Sequence, residues 1–255
     1  MAAEFEIETL RVAPREGELD VTFIVACYNE EGNIIPTLTE LTGAIAEVGC
    51  SAEVLVIDDA SRDRTCDEVR EFQAANPEAN VVLLTNRVNR GLAQNFIEGA
   101  FHAKGRYYRL VCGDNAEPRE TFVTVLRHLG AAELVLFYPV EIVGRSLHRK
   151  VISRAYTSLI NGISGNSIRY YNGGPLFLRH HVMRWHTNYR GFGFQADMVT
   201  RLLEEGVEYI EVPVMHQDRS QGTSQALTLQ NGLSVAHTLF DISTRRLGRL
   251  THQWL

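Results

Sequence analysis

Residues 54–63, with the sequence VLVIDDASRD, combine a short apolar run with two adjacent carboxylates and a polar turn. An unbroken run of Val, Leu and Ile is typical of a strand that is buried on both faces of a parallel sheet. Such a strand ends at the carboxyl edge of the sheet, where open α/β folds bind their ligands. Asp58 and Asp59 are therefore expected at the rim of a nucleotide-sized crevice, although a polar turn that caps a helix would use the same residue types.

The first half of the chain repeats this alternation of strand and helix. The predicted strands lie at 21–27, 53–57, 81–85, 107–112 and 134–138, and helical patterns at 32–48, 64–75, 92–104 and 119–129 separate them. The alternation predicts an α/β fold with a mostly parallel central sheet and helices on both faces. After residue 140 the pattern changes to helices at 147–163 and 194–205, short strands at 176–178 and 207–214, and a C-terminal helix.

The formal charge of −6 conceals a strongly basic segment. No carboxylate occurs between Glu141 and Asp197, and this stretch carries a formal charge of +8 from Arg145, Arg149, Lys150, Arg154, Arg169, Arg179, Arg184 and Arg190. A basic field confined to one segment concentrates an anionic partner there, and the alternative is a solvated basic surface. Nucleic acid is not expected as the partner, because the net charge is negative and no nucleic-acid motif accompanies the basic residues.

Composition indicates a cytoplasmic globular enzyme. The 255 residues are 45% hydrophobic and 22% charged, as in ordinary soluble proteins. The N-terminal residues lack the apolar core of a secretory signal, and the longest apolar stretches are too short to span a bilayer. The four cysteines, at positions 27, 50, 66 and 112, show no paired or zinc-type spacing, so reduced thiols are expected.

Polar side chains follow three of the predicted strands, in CYNEE (27–31), DDASRD (58–63) and CGDN (112–115). Neighbouring parallel strands would bring these ends into one crevice. There an aromatic ring such as Tyr28 can lie against a base, and carboxylates can accept hydrogen bonds from base N–H groups or ribose hydroxyls. A further carboxylate can hold a divalent cation that bridges phosphates.

With these motifs the chain resembles the inverting family 2 glycosyltransferases of GT-A fold, and among them the polyprenyl-phosphate branch that resembles dolichol-phosphate mannose synthase. The matching stretches keep the family's order: FIVACYNEEGNI (23–34), VLVIDDASRDRT (54–65), NRGLAQNFIEGA (89–100), CGDNAEPRE (112–120), RKVISRAYTSLINGISG (149–165), GFQAD (193–197) and DRSQGTSQA (218–226). We therefore expect an N-terminal extension at 1–20 and a single domain at 21–255. Within it, residues 21–140 would bind the nucleotide sugar and residues 141–255 the acceptor.

The resemblance implies donor-binding roles at the three strand ends. The positions that hold the nucleotide in the family correspond to Ala26, Tyr28, Glu30, Ile57 and Asp59, and Asp58 would support their loop. Asp114 matches the last Asp of the Asp-x-Asp motif, which ligates Mg²⁺ or Mn²⁺ on the donor diphosphate. Arg219, in a pattern with Gly222 and Ser224, would reach the diphosphate from a mobile loop that excludes water.

The resemblance also implies acceptor residues. Arg149 and Ser153, four residues apart on one helical face, could grip one phosphate and match positions that contact the lipid phosphate in the similar branch. Gly173 and Gly174 fall in a loop like the family's acceptor loop, although they would equally suit a turn. Asp197 falls where members often place a general base, which a hydroxyl acceptor needs and a phosphate does not. It could instead orient the site or cap its helix.

Several positions depart from the family's pattern. Cys112 stands where the first Asp of Asp-x-Asp is usual, Ala116 replaces a Gln that assists the metal, and Gln225 replaces a Lys. An Arg expected near the end of the fifth strand is missing from FYPVE (137–141). The predicted metal site then rests on Asp114, with Glu117 as a substitute ligand, and it would hold Mg²⁺ weakly.

The expected activity is transfer of a sugar, with inversion, from a nucleoside-diphosphate sugar to a polyprenyl phosphate or similar acceptor, assisted by Mg²⁺ or Mn²⁺. Two alternatives stay open: transfer to a hydroxyl of a glycan or small molecule with Asp197 as base, and a nucleotide-sugar-binding scaffold with weakened catalysis. The mixture of basic and apolar residues at 147–163 suits a helix on the inner membrane surface, and equally an ordinary helix that buries its apolar stripe.

Overall fold

Seven strands form the central sheet in the described part of the chain. The computed structural model describes residues 17–143, 147–184, 193–217 and 229–252. The strands are β1 (Leu19–Cys27), β2 (Ala52–Asp58), β3 (Val81–Thr85), β4 (Gly105–Cys112), β5 (Leu134–Val143), β6 (Leu176–Leu178) and β7 (Tyr209–Gln217). Their order is β3-β2-β1-β4-β6-β5-β7. Only β6 runs antiparallel to its neighbours in this sheet, which confirms the predicted mostly parallel arrangement.

Eight helices occur among the described residues. They are α1 (Ile34–Val48), α2 (Thr65–Ala75), α3 (Leu92–His102), α4 (Arg119–Arg127), α5 (Leu147–Ser164), α6 (Arg179–Met183), α7 (Gly193–Glu204) and α8 (Leu229–His252). α1 shows the local logic, because Ile34, Leu38 and Leu41 are buried at helical spacing and form an inward stripe. Gly49, with φ 72°, ends the helix and donates its N–H to the Ile45 carbonyl (2.9 Å), as left-handed helix caps do.

β2, which contains the apolar run VLVI at 54–57, is buried on both faces, as predicted. Val54 and Val56 belong to one hydrophobic cluster, whereas Leu55 and Ile57 belong to the other, because successive side chains of a strand point to opposite faces. The first cluster includes apolar residues of α1, α2 and α4, and the second includes residues of α3, α5, α7 and α8. Helices therefore cover both faces of the sheet.

The strand ends differ most from the prediction. β5 continues beyond residue 138 to Val143, alongside β7, which continues to Gln217. Pro139 explains the error, since proline usually marks the end or edge of a strand, whereas here a register shift between Pro139 and Glu141 accommodates it. The short helix α6 is absent from the prediction because five residues carry too little periodicity.

The sheet crosses the predicted boundary between the two halves, since β5 begins before residue 140 and pairs with β7. The division of the chain at that residue stays a prediction. Within the described ranges, no helix combines the length and the apolar character that crossing a membrane requires.

Candidate active site

The ends of β1, β2 and β4 lie side by side at the carboxyl edge of the sheet. Ala26 pairs with Ile57 on one side and with Cys112 on the other, so the three predicted motifs follow one row of residues. Tyr28, just after β1, is 43% exposed and accessible to a flat ligand. The structure thus brings the predicted donor residues together, while their contact with a nucleotide stays a prediction.

Three non-glycine residues in the described chain have a left-handed backbone, and all three lie at this edge. They are Asn29, Ala60 and Asn115, with φ of 56°, 65° and 55°. For Ala60 this conformation costs about 1–2 kcal/mol, because its Cβ approaches the following carbonyl oxygen. Strained backbone persists where the surroundings impose it, and it clusters at binding sites.

Hydrogen bonds join the loop after β1 to the loop after β2. The backbone N–H of Asn29 donates to Ser61 Oγ (2.9 Å), and Asn29 Oδ1 accepts from the backbone N–H of Arg62 (2.9 Å). Within the first loop, Glu30 Oε2 accepts from the side-chain amide of Asn33 (3.0 Å). These bonds hold Tyr28 and Glu30 in a defined loop and explain how the left-handed Asn29 is kept in place.

Asp59 is a buried carboxylate that organises a third loop. Its Oδ1 accepts from the Asn86 side-chain amide (2.9 Å) and the Arg90 backbone N–H (2.8 Å), and its Oδ2 accepts from the Gly91 N–H (2.8 Å). Gly91 has φ 86° and immediately precedes α3. Asp59 therefore fixes the stretch NRGLAQN, to which the sequence analysis assigned no role. A contact between Asp59 and the nucleotide stays a prediction.

Asp58 lies on the inner side of the same turn. Its Oδ2 accepts from the Ser61 backbone N–H (3.1 Å), a contact suited to the loop-supporting role predicted for it. Burial, together with the neighbouring Asp58 carboxylate, raises the pKa of the Cys66 thiol to about 11. Burial likewise raises the pKa of the Cys27 thiol well above its ordinary value. Both thiols are therefore protonated at neutral pH in the absence of a bound cation.

The loop that carries Asp114 is held on both sides. On one side, the Gly113 N–H donates to the Ala26 carbonyl (3.1 Å), and a Cβ at residue 113 would lie 2.7 Å from Cys27 Sγ, so a larger residue would have to displace the Cys27 side chain. On the other side, Gln217 at the end of β7 donates its backbone N–H to the Ala116 carbonyl (3.0 Å). The Gln217 side chain also donates to the Asn115 carbonyl (2.9 Å).

A buried ion pair engages Glu117, the predicted substitute metal ligand. Arg109 Nη2 donates to Glu117 Oε2 (2.6 Å), and the two side chains are 1% and 11% exposed. The Arg109 guanidinium also lies over the ring of Phe137, 5.3 Å from its centroid. Removing one partner of a buried pair costs about 3–5 kcal/mol, so the structure argues against Glu117 as a metal ligand. The sequence contains one indication of this ion pair, because Arg109 lies inside the apolar strand YYRLVC and a charged residue there needs a buried partner.

Asp114 is the carboxylate to which the resemblance assigns a divalent cation, and this role stays a prediction. The described ranges contain no group of three or more His, Cys, Asp or Glu residues that could hold a metal by themselves. Mg²⁺, however, is often bound by one or two carboxylates together with substrate phosphates and water. The residues present therefore fit a cation that arrives with a diphosphate, and they do not form a cage made of protein ligands alone.

Gly173 and Gly174 lie where β4 and β5 are separated by β6. A Cβ at residue 173 would collide with the Phe137 carbonyl of β5. Gly174 has φ 59°, and a Cβ there would lie 2.9 Å from the Leu110 carbonyl of β4. Both glycines are thus required by close approach to the two strands. This structural requirement accounts for the residue type, and contact with an acceptor stays a prediction.

Arg149 and Ser153 lie on the same partly buried face of α5. Leu147 and Val151 expose apolar side chains on the opposite face. The N-terminal half of α5 therefore exposes an apolar surface to solvent on the face opposite Arg149 and Ser153.

Asp197 is buried in an ion-pair network between α7 and α8. Its Oδ2 accepts from Arg201 Nε (2.9 Å), and its Oδ1 accepts from Arg245 Nη1 (2.6 Å). Arg245 also donates to Glu204 Oε2 (2.7 Å) and to Thr200 Oγ1 (2.8 Å). Both oxygens of the predicted base are engaged by guanidinium groups, so this geometry suits a structural role for Asp197 better than the role of a base. A catalytic role stays a prediction.

The remaining predicted positions, Arg219, Gly222 and Ser224, lie outside the described residues, as does Gln225. The described chain stops just before them, at Gln217 beside the Asp114 loop.

Comparisons with known proteins agree with this arrangement. The model of glycosyl transferase family 2 matches residues 22–194. The chain is 26% identical over 216 residues to a dolichol-phosphate mannosyltransferase of Mycosarcoma maydis, covering 79% of this chain and 72% of the relative. It is 28% identical over 216 residues to an undecaprenyl-phosphate mannosyltransferase of Micrococcus luteus, covering 80% of this chain and 86% of the relative.

Solved structures of glycosyltransferases share the fold. Glucosyl-3-phosphoglycerate synthase from Mycobacterium tuberculosis superposes with a TM-score of 0.66 at 16% identity, covering 89% of this chain and 80% of that one. The mannosyltransferase PcManGT from Pyrobaculum calidifontis, solved with GDP-Man and Mn²⁺, has a TM-score of 0.58 at 22% identity, covering 84% and 61%. The predicted GT-A fold is confirmed. Because the family model spans more than half of the chain, this protein belongs to glycosyl transferase family 2 and is a glycosyltransferase.

Proposed function

We propose that this enzyme transfers a sugar, with inversion, from a nucleoside-diphosphate sugar to a polyprenyl phosphate. The observation that carries the proposal is the presence of two complementary regions in one molecule. Polar strand ends with a single metal-competent carboxylate, Asp114, lie at the edge of the sheet. A helix with Arg149 and Ser153 on one inward face lies in a segment without carboxylates. The relatives named for dolichol and undecaprenyl phosphates support this acceptor class.

On the donor side, the nucleotide lies against the ends of β1, β2 and β4. The Tyr28 ring stacks on the base, and Glu30 and Asp59 orient the nucleoside through the loops that they stabilise. Asp114 would hold Mg²⁺ or Mn²⁺, and such a cation would offset the negative charge that develops on the leaving diphosphate. Arg219 adds a second positive charge to the diphosphate.

On the acceptor side, Arg149 and Ser153 hold the phosphate with an oxygen directed at the anomeric carbon, opposite the diphosphate. A phosphate oxygen is already anionic, so its attack requires no general base. A reaction without a general base is consistent with the position of Asp197, because Arg201 and Arg245 engage both of its carboxylate oxygens. Asp197 then acts by fixing α7 against α8.

The exposed face of α5 suits a peripheral position on a membrane. Leu147 and Val151 are 80% and 63% exposed, and Lys150 and Arg154 accompany them. Apolar side chains that enter the acyl boundary and cations that face anionic headgroups together hold an amphipathic helix at the interface. The helix would thereby keep the enzyme at the membrane surface, where a polyprenyl phosphate is anchored.

The test is transfer of labelled sugar from a panel of sugar nucleotides, GDP-mannose and UDP-glucose among them, to undecaprenyl phosphate in the presence of Mn²⁺. We expect lipid-linked product, and we expect the Arg149→Ala variant to lose about ten- to hundredfold in rate, as for a charged phosphate contact. The matched control is Arg127→Ala at the exposed C-terminal end of α4, outside the basic segment. Folded enzyme that binds donors without turnover would support the scaffold alternative, and product with hydroxyl acceptors alone would contradict the proposed acceptor.

A further inference from the structure

Arg109 is among the largest fully buried side chains of the described residues, although it carries a charge. It lies in β4 between Tyr107 and Val111, whose side chains belong to the first hydrophobic cluster, and alternation along the strand places Arg109 on that same face. Its guanidinium carbon is 5.9 Å from the ring centroid of Phe122 on α4. A charge in such surroundings is costly unless it is paired, so its partners indicate what it does.

One nitrogen of Arg109 contacts two loops of the proposed active site. Nη2 donates to Glu117 Oε2 (2.6 Å) and, at a longer distance, to the Gly173 carbonyl (3.4 Å). Glu117 lies in the loop that joins β4 to α4, three residues after Asp114, and Gly173 lies in the loop that precedes β6. Arg109 therefore lies between the loop with the proposed metal ligand and the loop predicted to approach the acceptor.

The Asp114 loop, residues 113–118, is held at its two ends by different kinds of contact. Hydrogen bonds to β1, α1 and β7 hold its first residues, and among them the Asn115 N–H donates to Thr37 Oγ1 of α1 (3.0 Å). At its other end, the Glu117 side chain is held by its ion pair, just before α4 begins. Because Asn115 has a left-handed backbone, the loop keeps its shape only while its surroundings impose it.

Arg109 acts on this loop without touching substrate. Its Nε and Nη1 atoms are buried and lack a hydrogen-bond partner within the described ranges, and its side chain is only 1% exposed, so substrate does not reach it. Glu117 is therefore the main partner of the guanidinium. An ion pair that is shielded from water is stronger than an exposed one, so it resists movement of Glu117 away from β4.

We propose that Arg109 is a positioning residue for the proposed cation site: by holding Glu117, it keeps Asp114 in the orientation that binds a divalent cation together with the donor diphosphate. The inference rests on the proposed function, which assigns the cation to Asp114. It adds to that function a residue that touches neither cation nor substrate but determines how tightly the cation binds. Loss of a partner that orients a metal ligand typically costs about 10–100-fold in metal affinity.

The test measures binding of UDP and GDP by calorimetry, without Mn²⁺ and over a range of Mn²⁺ concentrations. For a nucleotide that binds, Arg109→Met should raise the half-saturating Mn²⁺ concentration by about tenfold, while affinity without Mn²⁺ changes less than about twofold. The matched control is Arg245→Met, which also removes a buried cation but lies in α8, against the second hydrophobic cluster. Its Mn²⁺ requirement should stay within about twofold of the wild-type value, because distant sites act independently.

A double variant separates positioning from folding. Arg109→Met alone leaves Glu117 as a buried carboxylate without its cation, so it should melt at a lower temperature than the wild type. Arg109→Met combined with Glu117→Met contains no unpaired charge and should melt near the wild type. Because the ion pair is absent from both variants, the double variant should still need about tenfold more Mn²⁺.

Each other outcome overturns the inference. A folded single or double variant with the wild-type Mn²⁺ requirement would show that the pair only neutralises its own charges. An equal shift in Arg245→Met, or equal weakening with and without Mn²⁺, would show a general loss of structure. Nucleotide binding that does not respond to Mn²⁺ in the wild type would remove the cation site and leave the donor site in place. A wild type that binds neither UDP nor GDP would overturn the proposed function as well.

Discussion

The proposed donor and acceptor regions of this glycosyltransferase each contain a buried Asp, Asp59 and Asp197, and the two carboxylates are held in opposite ways. At the donor edge, carboxylates accept hydrogen bonds from backbone N–H groups: Asp59 from Arg90 and Gly91, and Glu68 from Gly32 (2.9 Å). In the acceptor half, Asp197 and Glu204 accept hydrogen bonds from guanidinium groups. The first kind of contact fixes the path of a loop, and the second fixes one helix against another.

The two kinds of contact have different consequences: one determines the shape of a loop, and the other neutralises a charge. A backbone N–H that points at a carboxylate determines where the next side chains emerge, which a nucleotide-binding loop with left-handed residues requires. Ion pairs between α7 and α8 instead neutralise Asp197 and Glu204, two buried carboxylates of the proposed acceptor half. Arg149 and Arg154 belong to a segment without carboxylates, so its positive field can act on an anionic acceptor.

The largest expected effect tests the donor edge at Asp114. Asp114→Asn should reduce the rate of sugar transfer by about 10²–10³-fold, because a neutral amide holds a divalent cation poorly and the charge of the leaving diphosphate is then less stabilised. Transfer assays over a range of Mn²⁺ concentrations measure this loss, and excess Mn²⁺ should restore part of it. Asp67→Asn on the exposed surface of α2 is the control. An Asp114→Asn enzyme with normal activity would show that the metal site lies elsewhere.

The second effect tests the ion pairs of the acceptor half. Arg245→Met should lower the free energy of unfolding by about 3–5 kcal/mol, because it leaves the buried carboxylates of Asp197 and Glu204 without their shared cation. The matched control is Arg249→Met, since Arg249 contacts the same Glu204 (2.8 Å) but is 43% exposed, against 19% for Arg245. An exposed pair contributes about 0–1 kcal/mol. Urea denaturation measures both variants, and equal losses would contradict the distinction.

The sequence alone predicts the sheet well because its strands are buried on both faces. A run such as VLVI at 54–57 contributes to two hydrophobic clusters at once. Every residue of such a strand has to be apolar, so the strand is recognisable in the sequence as an unbroken apolar run. The end of β5 cannot be predicted from the sequence in the same way. Pro139 favours the end of a strand, and β5 continues past it because it pairs with β7. Local patterns therefore predict the elements, and tertiary pairing determines their ends.

The side-chain partners of the site are less predictable for a related reason. The partners of Asp59 lie about 30 residues away, and Arg245 lies 48 residues from Asp197. No local pattern connects such positions, since the contacts exist only once the helices have packed. Arg109 is the exception, because a charged residue within YYRLVC indicates a buried partner, although it does not identify Glu117.

The third effect sharpens the role of Asp59 in shaping its loop. Asp59→Asn should lower the free energy of unfolding by about 2–3 kcal/mol, because a side-chain N–H₂ group replaces one acceptor that receives backbone donors. Since the stretch at 86–91 is then less fixed, we expect nucleotide affinity to fall as well. Urea denaturation and calorimetry with UDP and GDP measure the two quantities. If Asp59→Asn instead weakens nucleotide binding without lowering the free energy of unfolding, Asp59 contacts the nucleotide directly.

The smallest expected effect concerns Asp197, and it decides between the two classes of acceptor. If the acceptor is a phosphate, Asp197→Asn should change kcat less than about tenfold, whereas loss of a required base costs about 10²–10⁴-fold. Glu204→Gln is the matched control, since Glu204 shares Arg245 with Asp197 and carries no predicted catalytic role. Both variants remove a partner of Arg245 and should lose comparable stability. A kcat that falls a hundredfold in Asp197→Asn alone would therefore identify Asp197 as a base, and with it a hydroxyl acceptor.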